Sequence, residues 1–80
     1  MSNQMNTDKV ENVAARFRRR KDEAVRLGFD VRLVTLDDQL PGWCLLAGKC
    51  VAFLDVTATT TEQLVQLDDI LTEYQARRAA

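Results

Sequence analysis

The sequence predicts an α+β domain in the order α-β-β-β-α, a three-stranded antiparallel meander sheet packed with two helices. Three observations carry that prediction. Apolar residues recur at helical spacing near both ends of the chain. Runs of strand character fill its middle. Gly28, Pro41-Gly42 and Gly48 mark three of the four changes between elements.

Met1–Thr7 reads as a disordered polar tail, and residues 8–80 as one small domain. Asp8 suits an N-cap, with Glu11 in the capping-box position three residues on. Val10, Val13, Ala14, Phe17, Ala24 and Leu27 then form a helical stripe, interrupted at Arg20–Lys21. Gly28 follows as a C′ residue, because glycine enters the left-handed region without a steric penalty. The first helix is expected over about residues 8–27.

Phe29–Leu36 alternates apolar and polar at first and then turns apolar on both faces, as a strand that leaves the sheet edge. Asp37-Asp38-Gln39-Leu40-Pro41-Gly42 is the clearest loop. Two further strands, Trp43–Leu46 and Cys50–Val56, are joined around Ala47-Gly48-Lys49. Two turns fit that hairpin. A two-residue Gly48-Lys49 turn sets Cys44 opposite Phe53. A three-residue loop with Gly48 in a bulge sets Cys44 opposite Cys50, and is slightly favoured.

Thr57–Thr61 is a short polar connector, in which Thr59 with Glu62, or Thr60 with Gln63, makes a second capping box. Leu64, Leu67, Leu71 and Tyr74 repeat at helical spacing, and Ile70 widens the stripe. Arg77 and Arg78 suit the negative end of the helix dipole, and Glu73 precedes Arg77 in the favourable i,i+4 order. The closing helix is expected over about residues 60–77, with both helices on one face of the sheet or side by side.

Composition closes several chemistries. The chain has no histidine, so it has no His-based acid–base dyad and no His-ligated metal. Two cysteines are too few for a four-cysteine zinc site or a disulfide scaffold. No apolar run approaches the ~20 residues that span a bilayer. The formal net charge of −1 gives no bulk attraction to nucleic acid, so any such binding must come from local clustering. The N-terminus shows no signal-peptide pattern, so a cytoplasmic chain is expected, with Cys44 and Cys50 as reduced thiols.

Four features are candidates for function. Arg16, Arg18, Arg19, Arg20 and Lys21 offer phosphate contacts. Yet Arg18 with Asp22, and Arg19 with Glu23, stand at pairing distance, and residues 18–21 point around the axis, so a solvated helix face is the favoured reading. Cys44 and Cys50, if opposed, could form a strained disulfide; as free thiols they are small apolar side chains. Trp43, after Pro41-Gly42, is either the plug of a small core or an interface anchor. Asp37, Asp38 and Asp55 could approach each other and hold a hard cation, but nothing in their spacing requires it.

The stretch Gly42-Trp43-Cys44-Leu45-Leu46-Ala47-Gly48-Lys49, with Val51-Ala52-Phe53-Leu54-Asp55 and the Glu62-Gln63-Leu64 helix, resembles a group of short bacterial proteins of unknown function. These share a Gly-x-Cys-x-Leu-x-Gly hairpin, a Phe-Leu-Asp strand end and a closing helix. The resemblance covers about residues 28–76 and implies the element order above and no activity. A hairpin followed by a helix is also similar to the front part of the ImmA-like zinc peptidases, which carry His-Glu-x-x-His on the helix. Here the helix reads Leu67-Asp68-Asp69-Ile70-Leu71, so that likeness implies a chain without the metal site or the peptidase activity.

The expectation is a non-enzymatic cytoplasmic protein-interaction module, homodimeric, without cofactor or metal. Trp43, Leu45 and Lys49, with the exposed sheet face, are the expected contact surface. Strands apolar on both faces over Leu45–Leu54 exceed what a one-faced sheet needs, which is the reason for expecting a dimer. The alternative is a nucleic-acid-associated accessory protein using Arg16, Arg18, Arg19 and Arg20.

Overall fold

The computed structural model describes residues 12–79. The polar tail Met1–Thr7 and the capping box of Asp8 with Glu11 lie outside the described residues. Helix α1 spans Val13–Arg26. Asn12 caps it in an extended conformation, its side-chain oxygen accepting from the Ala15 N–H at 3.1 Å. Gly28 ends it at φ 99°, and its N–H donates to the Val25 carbonyl at 3.0 Å, so the expected glycine stop is where the helix closes.

Strands β1 (Phe29–Val34), β2 (Gly42–Leu46) and β3 (Lys49–Asp55) precede helix α2 (Thr60–Ala79). Of the two capping boxes open in the sequence, Thr59 with Glu62 is the one formed. The Glu62 N–H donates to Thr59 Oγ1 at 3.1 Å, and the Thr59 N–H donates to Glu62 Oε1 at 2.9 Å.

The α+β class holds, but the sheet is mixed and is no meander. Its order is β1-β3-β2, with β1 parallel and β2 antiparallel to β3. The connection over residues 35–41 therefore crosses from one edge of the sheet to the other. Burial explains the order. Cys50–Leu54 is the most apolar stretch, and a meander would leave it on an edge. In the centre, Val51, Ala52 and Leu54 are buried. β1 carries Asp30 and Arg32, which suit an edge, where they form an ion pair at 3.0 Å.

The hairpin differs from both expected turns. Leu46 faces Lys49, and the two loop residues are Ala47 at φ 53° and Gly48 at φ 80°. Positive φ at both central residues is the type I′ turn, whose twist matches that of the strands. Cys44 consequently faces Val51, and Cys50 faces Leu45. Both expected turns give positive φ to Gly48 alone, because alanine is a poor left-handed residue, costing about 1–2 kcal/mol there. The Ala47→Asn variant makes the favoured Asn-Gly turn. It is expected to raise the unfolding free energy by about 1 kcal/mol in urea denaturation. An unchanged midpoint would argue against this turn.

Both helices lie on one face of the sheet. Phe17 and Ala24 of α1 and Leu67, Ile70 and Leu71 of α2 share one core with Phe29, Ala52 and Leu54. Alternation sends Val51 and Phe53 to the opposite face, which no described helix covers.

Candidate functional site

The β2 hairpin gathers three of the expected contact residues and gives them different roles. Trp43 sits across from Ala52, on the helix side. The small Cys50 and Ala52 in the central strand leave room for rings from both edges to meet above them. Trp43 stands 6.0 Å from Phe29 and 5.2 Å from Tyr74, and Phe29 stands 4.8 Å from Tyr74, all edge to face. Trp43 Nε1 donates to Glu73 Oε1 at 3.1 Å, and Glu73 also faces Arg77 at 3.9 Å. The indole is half-buried and built into the core, as its plug reading expects.

Leu45 and Lys49 stay at the surface. Leu45 is 63% exposed and Leu46 46% exposed, beside an exposed Cys44. β2 is thus an edge strand without a charged side chain, and its outer side meets no other strand among the described residues. Leu46 and Cys44 were not among the expected contact residues; their signal was an uncharged five-residue run, whose edge position the sequence did not disclose. Cys44 and Cys50 face different partners on alternate sides of the sheet, so the register forbids a disulfide between them.

The arginines divide. Arg16, Arg19 and Arg20 line a shallow groove of about 170 Å³ together with Glu23, Leu64 and Asp68, while Arg18 does not line it. Arg20 bridges the two helices, with Nε 2.7 Å from Asp68 and Nη1 2.9 Å from Glu23. Partial burial pulls its pKa down, but the hydrogen bonds and charges of Glu23 and Asp68 outweigh that and hold it above its ordinary value. The groove therefore carries two carboxylates among its cations, a poor setting for a phosphate.

The C-terminal end of β3 is a polar knot. The Asp55 carboxylate accepts from the Thr57 hydroxyl at 2.7 Å and from the Thr57 N–H at 2.9 Å. These two bonds, the hydroxyl first, hold its pKa below the usual carboxylate value. Gln63, buried in α2, donates to the Asp55 carbonyl at 3.0 Å, and the Asp55 N–H donates to Gln66 Oε1 at 3.1 Å. Gln63, expected only as a capping partner of Thr60, and Gln66, which carried no expectation, thus tie α2 to the strand end; their i,i+3 spacing was the available signal. Asp55 also borders an open groove of about 490 Å³ with Thr57, Thr61, Glu62 and Val65. Asp37 adopts φ 52° in the crossover connection. Among the described residues, no group of three or more acidic, cysteine or histidine side chains could hold a metal ion.

No family model, curated protein or solved structure matches the chain. No helix among the described residues is long and apolar enough to cross a membrane.

Proposed function

We propose that the chain is a non-enzymatic cytoplasmic protein-interaction module that binds through the β2 edge. One observation carries this reading: β2 is an open, uncharged edge strand that exposes Leu45 and Leu46, while its own Trp43 is locked into the core. Open edges are the positions at which proteins pair with further strands, and chains that avoid such pairing place charges or Pro there. β1 has such charges and β2 does not. The surface thereby combines free backbone hydrogen-bonding groups with an apolar lining.

The Leu45→Lys variant tests it. Because Leu45 is largely exposed, the substitution is expected to change stability by about 0.5 kcal/mol or less. A lysine on the edge should weaken association roughly tenfold or more, measured by sedimentation and by capture with and without nuclease treatment. If binding survives in Leu45→Lys and disappears in the Arg18→Glu, Arg19→Glu double variant, the nucleic-acid reading takes its place.

A further inference from the structure

We propose that the β2 edge pairs antiparallel with β2 of a second copy of this chain, about a two-fold axis through Cys44, joining the two sheets into one. This rests on the interaction-module reading and names its partner.

The phase of the hairpin selects the register. A two-residue turn is closed by a hydrogen-bonded pair, here Leu46 with Lys49. Bonded and non-bonded pairs alternate along an antiparallel ladder. Cys44 and Gly42 therefore bond inward to Val51 and Phe53, and the N–H and C=O groups of Trp43 and Leu45 point outward.

A two-fold antiparallel pairing forms hydrogen bonds only where outward residues oppose outward residues. Centred on Trp43, it sets Leu45 against Pro41, which has no N–H to give. Centred on Leu45, it sets Trp43 against Ala47, which has left the strand for its positive-φ turn. Centred on Cys44, it sets Trp43 against Leu45 of the other copy twice, and each pair bonds in both directions.

The side chains agree with that register. On the helix side, each exposed Leu45 lies against the other copy's Trp43. On the opposite side, each exposed Leu46 lies against the other copy's Gly42, where an added Cβ would meet nothing within 4 Å, so there is room for it. Cys44 meets itself. A residue on a two-fold axis always does, so a charge there would face its own sign; β2 holds none. Pairing through β1 would instead strip water from the Asp30–Arg32 ion pair.

Cys44 also supplies the test. The self-pair is of the non-hydrogen-bonded kind, with Cα atoms about 4.5 Å apart, inside the range that a disulfide spans. The Cys50→Ser variant keeps Cys44 as the one thiol. Added diamide accepts the two electrons and two protons that a pair of Cys44 thiols releases as their S–S bond forms. The expected result is a dimer by sedimentation equilibrium before oxidation, then a covalent dimer on a non-reducing gel. The control is Leu40→Cys in a Cys44→Ser, Cys50→Ser background, a position 87% exposed in the crossover connection. Cys44 should couple about tenfold faster or more than this control, since pairing raises its effective concentration.

Equal rates at Cys44 and Leu40→Cys would overturn the proposal, as would a dimer in which Cys44 does not couple. A monomeric chain that still binds another protein through Leu45 overturns the self-pairing alone and leaves the interaction reading standing. A monomer that binds nothing at Leu45 removes both.

Discussion

Leu67→Ala is expected to lower the unfolding free energy by about 2–5 kcal/mol. Leu67 is fully buried in the core that joins both helices to the sheet, so its removal leaves a cavity where three elements meet. A domain of this size holds roughly 4–12 kcal/mol in total. The variant should therefore be marginal at room temperature, with a urea midpoint near or below half that of the parent. A loss under about 1 kcal/mol would mean that the two helices do not share this core.

Trp43→Ala is the second large effect. The expected loss is about 2–3 kcal/mol, below the roughly 3–5 kcal/mol of a fully buried aromatic because the indole is only half-buried. The ring closes the triad with Phe29 and Tyr74, and alanine opens a gap between β1, β2 and α2. Trp43→Phe keeps an aromatic there and gives up the exposed bond to Glu73, so it should stay within about 1 kcal/mol of the parent. Thermal denaturation followed by circular dichroism separates the two. If Trp43→Ala melts with the parent, the indole is a surface group and the plug reading falls. This expectation makes Leu45, not Trp43, the proper probe of binding: a Trp43 variant would lose partners by losing its fold.

What could be seen in the sequence was local. Gly28 as a helix stop, Thr59 with Glu62 as a cap, and the place of the hairpin each rest on residues within a few positions of one another. The order of the strands does not. Alternation states which face a residue occupies and is silent on which strand lies beside it, so it cannot tell the crossover over residues 35–41 from a simple turn to the neighbouring strand. The double-sided apolarity of Cys50–Leu54 held the missing information, since the strand that is apolar on both faces belongs in the centre. Such a strand is satisfied by neighbours on both sides within its own sheet. The hairpin register turns on a single residue: Ala47 accepts a conformation that alanine disfavours, and both turns that propensity allows keep positive φ at Gly48 alone. The contact residues were legible as types but not as roles, because the same Trp that suits an interface also suits a core with small central residues.

Placing β3 between its two neighbours also sets an order in time. Leu46 finds Lys49 across two residues, whereas Phe29 must find Cys50 with the whole crossover and hairpin looped out between them. Local closure takes microseconds, and parallel pairing over a long loop is slow because chain entropy is lost before contacts repay it. The hairpin and α2 are thus expected to form early, and β1 with α1 to arrive last, onto an edge of β3 that stays open until then. A stabilised Ala47 turn should accordingly speed folding more than it slows unfolding.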